Sequence, residues 1–394
     1  MNTNKVQVFV FAMLFVVGAF TGCVDEDDDD KTTTDNTIKI GFLNPITGPL
    51  EPDAPGFKWG ADQAISDLSA MYPNETFELI ELDSGCSGDV AGPAAQTLVD
   101  SGVVAVVGAA CSGASMSANA VLAAAGIPMI SYASTNPGLS DEVAYPHFYR
   151  NVPSDAIQGP AGAAMMADAG VENESLAILH MTNDYGSGLA DSIKGAWEES
   201  GKLCSAGMQG YEETTTDFTT MVGNITDASD CTAVYLSSYI TDAAGILEAL
   251  AEAEFTGNVF GGDGPAGIGL LEKVDNGTAV GFTVSAPRAG TSYGDFESRY
   301  DANAADVGSI KTYVLTAYDA TMMIGKAAMT DGTIVAGIES VGTNYEGASG
   351  MINFLSNGDI GGNGYDICTY GGDEAEGTYT CAKYWTAEAG VASA

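Results

Sequence analysis

Positive charge is the scarcest property of this sequence. Lys and Arg together number 13 against 53 Asp and Glu, a formal net charge of −40. A field of that sign repels phosphate backbones, which excludes nucleic acid as a partner. Histidine is almost missing as well: His147 and His180 are the whole supply, far apart in sequence, so a His-rich metal site is excluded. Neither is placed to activate Ser112 in a hydrolytic triad. No Cys-x-x-Cys occurs, which takes support from redox catalysis and zinc ribbons. A phosphate-binding GxxxxGK[ST] loop and a GxSxG elbow are absent too. Nothing left suggests an enzyme, a cofactor or a metal.

What is present suits a globular chain. Of 394 residues, 45% are hydrophobic and 17% charged, enough apolar material for sizeable cores. That length suggests two or three domains. The acidity itself reads as a solvated surface adapted for solubility or salt.

Residues 1–23 read as an address. A short start with one Lys precedes an apolar run from Val6 to Phe20, then Thr21-Gly22-Cys23. This pattern describes a secretory signal, too short to span a membrane comfortably. Gly22-Cys23 resembles a lipobox, in which Cys23 is lipidated and becomes the new N-terminus. Residues 24–36, rich in Asp and Thr, form an acidic tether that cannot build a core. The remainder is expected outside the cell, on the outer face of the membrane. Six further cysteines agree with an oxidising compartment. They allow several connectivities; pairing nearest neighbours joins Cys86 to Cys111, Cys204 to Cys231 and Cys368 to Cys381.

From Ile38 onward, strands and helices alternate. Apolar strands at 38–43, 77–83, 103–108 and 128–132 interleave with helices at 58–71, 91–99 and 112–125. The pattern restarts after Pro153, with strands at 176–181, 233–237, 258–261 and 282–285. Its helices start at Asp155 and span 187–200, 217–225 and 242–254. Continuous apolar strands between helices mean parallel sheets, and two runs mean two doubly wound lobes. Ligands of such sheets sit at the carboxyl ends of strands. Helices near 293–303 and 310–329 follow; the second carries Lys311, Asp319 and Lys326 and reads as a core helix. Gly262 to Gly267 matches GxGxxG, but a dinucleotide fingerprint belongs in the first βα turn, not this late.

Several local motifs then fall into one colinear order. They are Ile40-Gly41-Phe42-Leu43-Asn44-Pro45-Ile46-Thr47-Gly48-Pro49, Ser84-Gly85-Cys86, Cys111-Ser112-Gly113-Ala114-Ser115, Ser131-Tyr132-Ala133-Ser134-Thr135-Asn136-Pro137 and Asn183-Asp184-Tyr185-Gly186. Together they resemble the leucine/isoleucine/valine-binding proteins of ABC importers, from about residue 38 to about 380. The resemblance implies a type I periplasmic-binding-protein fold: two Rossmann-like lobes joined by three crossing strands, with Cys86–Cys111 paired. On this scheme residues 37–153 plus 286–349 form lobe 1, and 154–285 plus 350–394 form lobe 2.

Carried over position by position, the resemblance places an amino-acid carboxylate against Ser112, Ala133 and Thr135. A helix N-terminus at Ser112 would favour an anion without any Arg. The ammonium partner is Asp263, where the family usually shows Glu in a Gly-Pro-Glu-Gly setting and this chain has Gly261-Gly262-Asp263-Gly264. Tyr185 and Tyr239 match residues that close over the ligand. Leu50 to Pro55 departs most from the family, where the ligand side chain is usually met. The implied function is capture of an amino acid, branched-chain type favoured, by a monomer that hands it to a membrane permease driven by a separate ATPase. An amide or urea-like solute, or a ligand-sensing ectodomain signalling through a partner, are the alternatives.

Overall fold

The computed structural model describes residues 37–199, 201–275, 277–303, 311–372 and 377–394. The signal segment, Cys23 and the acidic tether lie outside them. A first sheet is built from β1 (Thr37–Asn44), β2 (Thr76–Asp83), β3 (Ala105–Val107), β4 (Met129–Ser131) and β5 (Phe148–Arg150). All its neighbours are parallel, in the order β2-β1-β3-β4-β5. Helices α1 (Ala54–Met71), α2 (Gly88–Asp100) and α3 (Ser112–Ala124) connect the strands. β3 and β4 are buried along their whole length, as expected of strands covered on both faces.

A second alternating run follows: α4 (Asp155–Asp168), β6 (Leu176–Met181), α5 (Asp184–Glu198), β7 (Leu203–Tyr211), α6 (Thr219–Thr226), β8 (Ala233–Ser237), α7 (Ile240–Glu252), β9 (Asn258–Gly261) and β10 (Thr283–Pro287). The chain then forms α8 (Phe296–Asn303), α9 (Lys311–Ala328), α10 (Ile334–Val341) and a small hairpin, β11 (Tyr345–Gly347) with β12 (Gly350–Ile352). It ends in β13 (Tyr365–Gly372), β14 (Gly377–Thr386) and β15 (Gly390–Ser393). The second sheet has the order β15-β14-β13-β10-β9-β8-β6-β7, parallel from β7 to β10 and antiparallel beyond.

The chain passes between the sheets three times: from β5 to α4, from β10 to α8, and from β12 to β13. α4 packs on β10 and β13 of the second sheet, whereas α9 returns to α1, β1 and β3 of the first. Small residues let α1 and α9 approach: a Cβ on Gly60 would stand 2.7 Å from the Val314 carbonyl oxygen. α9 is a buried helix whose Asp319 accepts hydrogen bonds from the Ala348 and Ser349 amides at 2.7 and 2.8 Å. Among the described residues, no helix is long and apolar enough to cross a membrane.

The strand ends differ slightly from the sequence-derived boundaries. β10 stays in the second sheet to Pro287, and Gly350–Ile352 still pairs with β11, so the break at 286 falls inside a strand and the one at 350 between the two strands of a hairpin. The helix expected from 217 begins at Thr219, because the Asp217 carboxylate accepts from the Thr219 amide ahead of the first turn. The one expected from 293 begins at Phe296, beyond a left-handed Gly294 at φ +81°.

Candidate functional site

The carboxyl ends of the central strands of both sheets turn directly into helix N-termini. After β3, Gly108 takes φ +113°, a turn that no side chain would tolerate, since a Cβ would sit 2.6 Å from the Leu43 carbonyl oxygen. The chain then reaches Cys111 and starts α3 at Ser112. On the opposite side, Asn183 caps α5 by accepting from the Gly186 amide at 2.7 Å. Tyr239 occupies the equivalent place before α7, where its amide donates to Asp242 at 2.9 Å. Three helix ends therefore converge on one cleft.

A cavity of about 350 Å³ lies there. Its walls include Ser112 and Gly113, the Cys86–Cys111 bridge, the Tyr185 and Tyr239 rings, and Glu212 to Thr214. The two rings stack at 4.9 Å between centroids, and the Tyr239 hydroxyl lies 3.7 Å from the Cys86 sulfur. Asn136 of the first lobe donates to the Asp184 carbonyl of the second at 2.5 Å. The lobes thus meet around the cavity. Among the described residues no Ala, Val, Leu, Ile, Met or Phe lines it, and no Lys or Arg pairs with Asp184, Glu212 or Glu213.

Of the residues singled out from sequence, Ser112, Tyr185 and Tyr239 line this cavity; Ala133, Thr135 and Asp263 are buried outside its wall. Asp263 is tied to it through Tyr185, whose hydroxyl donates to Oδ1 at 2.9 Å and accepts from the Gly264 amide at 2.9 Å. Tyr313 of α9 donates to the other Asp263 oxygen. Burial raises the Asp263 carboxyl above its ordinary value, opposed by these two phenols. The Ser112 hydroxyl accepts from the Asn136 amide at 3.2 Å. The Ala133 amide makes only a long contact, 3.4 Å, to the Ser131 hydroxyl, and the Thr135 hydroxyl is buried with no hydrogen-bond partner.

Asp155 was missed in this role, because in sequence it reads as the first acidic residue of a helix. Its amide donates to the Thr135 carbonyl at 2.8 Å, so α4 begins against that loop. The residue is fully buried, and neither carboxylate oxygen meets a donor at bonding geometry. Burial pushes its carboxyl well above the usual range, and the charge of Asp263 adds to the push; the Thr135 hydroxyl and Arg150 oppose it. Arg150 is already engaged: Nε bonds Asp359 at 2.6 Å, and Nη1 and Nη2 bond the Asn136 carbonyl and Ser140 hydroxyl. Tyr313 was also missed, hidden among the apolar positions of α9.

The structure joins all six cysteines of the described residues: Cys86–Cys111, Cys204–Cys231 and Cys368–Cys381. Leu50 to Pro55 folds as a 3₁₀ turn over Glu51–Asp53 leading into α1, and does not line the cavity. The GxGxxG stretch makes a tight turn, Ala266 N–H to Asp263 C=O at 3.0 Å, followed by a 3₁₀ segment rather than an α-helix. It offers no helix N-terminus to a pyrophosphate.

Residues 37–371 match the periplasmic binding protein family over most of the chain. The chain belongs to that family. Among curated members it is similar to the leucine-, isoleucine-, valine-, threonine-, and alanine-binding protein of Pseudomonas aeruginosa. The two are 26% identical over 345 residues, covering 85% of this chain and 90% of the relative. The leucine-specific-binding protein of Salmonella typhimurium is likewise 26% identical, over 88% of this chain and 93% of its own length. Solved family folds agree. A leucine-binding protein from Thermotoga maritima superposes with a TM-score of 0.75 at 22% identity, covering 87% of this chain and 97% of its own. A branched-chain amino acid transporter substrate-binding protein from Streptococcus pneumoniae, in complex with isoleucine, gives 0.74 at 21% identity, covering 87% and 98%.

Proposed function

We propose that this chain is the extracytoplasmic solute-binding protein of an ABC importer, anchored through a lipid on Cys23, and that it captures an amino acid between its lobes. The observation that carries this reading is a polarity laid out for a zwitterion. On one side stand the α3 N-terminus at Ser112 and the unpartnered hydroxyl of Thr135; on the other stands the buried acid Asp263, held by the neutral groups of Tyr185, Tyr313 and Gln158. Free helix N–H groups favour a carboxylate and a buried carboxylate favours an ammonium. The Tyr185–Tyr239 stack closes over the space between. The relatives' names favour branched-chain amino acids. Closure is a hinge motion about the three crossings, and the closed form is what a permease receives. None of these residues forms a nucleophile–base pair, so binding without turnover is the expected activity.

Calorimetric titration of the purified chain with L-leucine, L-isoleucine and L-valine tests the reading. Saturable binding at one site, with a thermal shift of about 2.7 kcal/mol equivalent at 100 times Kd, supports it. Absence of binding to every common amino acid refutes it. One observation favours a second reading: the cavity wall is polar and lacks aliphatic side chains. A small amide or urea-like solute fits such a wall, and selective binding of one in the same titration would establish it.

A further inference from the structure

Several of the buried polar groups left without partners among the described residues lie near Asp155 and Asp263. Both Asp155 oxygens, the Thr135 and Ser238 hydroxyls, the Tyr235 hydroxyl and the Gln158 side-chain carbonyl are buried with no hydrogen-bond partner among the described residues. Asp155 and Asp263 stand in this region as two buried carboxyls, each within the other's field. The cation that acts on Asp155, Arg150, has its guanidinium held by Asp359, Asn136 and Ser140.

Every other group that faces the pair is neutral. Tyr185 comes from α5, Tyr235 from β8, Tyr239 from the start of α7, Tyr313 from α9 and Tyr365 from β13. Burial raises all five phenols, so each keeps its proton. Gln158 on α4 gives its amide to the Ser285 carbonyl at 3.0 Å and hydroxyl at 3.1 Å and also hydrogen-bonds Asp263, while its own carbonyl is unpartnered. Two ionised carboxylates cannot share so dry a place without a counter-charge, and such pairs hold one proton between them. An alkylammonium carries one positive charge and three donors, which is what the pair lacks.

We propose that the empty site holds one proton between Asp155 and Asp263, and that a ligand's ammonium group displaces it. This rests on the reading of the cleft as an amino-acid site. The balance is simple: the carboxylic acid of the pair loses its proton to solvent, both acids become carboxylates, and the ammonium stays intact between them. Asp155 is then a second carboxylate for the ligand, and capture is coupled to pH. Below the point where the empty pair loses its proton, affinity rises by up to tenfold per pH unit; above it, affinity is flat.

Titration of the whole chain with L-leucine, in two buffers of equal pH and different ionisation enthalpy, counts the protons released. Infrared difference spectroscopy of the ligand-free protein reads the carboxylic-acid carbonyl band directly. The expected results are release of close to one proton per ligand at any pH below the point where the empty pair loses its proton, and loss of the band on binding. Asp155→Asn, which keeps shape and removes the titration, should abolish both the band and the pH dependence. Binding without proton release would overturn the proposal while leaving the amino-acid reading intact. Absence of the band in the ligand-free protein would overturn it whether or not leucine binds. Failure of leucine and every other amino acid to bind would refute the reading of the site itself, and the displacement with it.

Discussion

Replacing Asp263 by Asn is the sharpest test of the site, because it removes a charge and little else. The two carboxylate oxygens accept from the phenols of Tyr185, at 2.9 Å, and Tyr313. Alanine would strand both phenols in a dry interior, at about 1–3 kcal/mol each, and would confuse folding with binding. Asparagine keeps one acceptor, and the phenol facing its amide can turn to accept instead, so stability should fall by only about 1 kcal/mol. Removing one partner of a buried charge pair costs about 2–5 kcal/mol of binding. At 1.4 kcal/mol per decade the affinity for an amino acid should drop by roughly thirtyfold or more. Calorimetric titration gives the affinity, and urea unfolding of the same preparation gives the stability. If Asp263→Asn unfolds cooperatively and binds as tightly as wild type, no ammonium is held at this carboxylate.

Three further outcomes are expected. Arg150→Met leaves the Asp359 carboxylate without the guanidinium that bonds it at 2.6 Å, and should lower the unfolding free energy by about 3–5 kcal/mol in urea titrations; a loss below 1 kcal/mol would show the pair to be dispensable. Replacing Cys86 and Cys111 together by Ser opens a loop of 25 positions and should cost about 3 kcal/mol, while loosening the cavity wall against Tyr239 and so weakening ligand binding. Equal affinity in that variant would dissociate the bridge from the site. Cys23→Ser should move the protein from the membrane fraction to the soluble one, as read by fractionation and blotting; retention on the membrane would exclude lipid anchoring through that residue.

Much of the fold was readable because parallel strands covered on both faces are apolar without interruption. Ala105–Val107 and Ala233–Val234-Tyr235-Leu236 announce themselves in this way. The elements that escaped are those with mixed composition. β7 (Leu203–Tyr211) is half-exposed, carries a left-handed Gly207 and shifts register against β6, so neither a run nor an alternation marks it. β13 and β14 mix Tyr, Thr, Lys and Cys, and half of β14 faces outward. The site divides along the same line. Ser112, Tyr185 and Asp263 stand next to strand ends within short motifs, so local sequence marks them. Asp155 and Tyr313 matter through partners in distant elements, and locally each resembles an ordinary helix residue.

The threefold passage of the chain between the sheets has a consequence for biogenesis. When synthesis has reached residue 300, the first sheet still lacks α9, and β10 is a bare edge awaiting Tyr365–Gly372. Neither lobe is a contiguous stretch, and the second cannot be finished while the ribosome still holds the last tenth of the chain. The Cys368–Cys381 bridge can close only once β14 has been made, whereas Cys86–Cys111 and Cys204–Cys231 join residues that are available much earlier. Splitting the chain at any single point between β6 and β13 would leave both fragments with an incomplete second sheet.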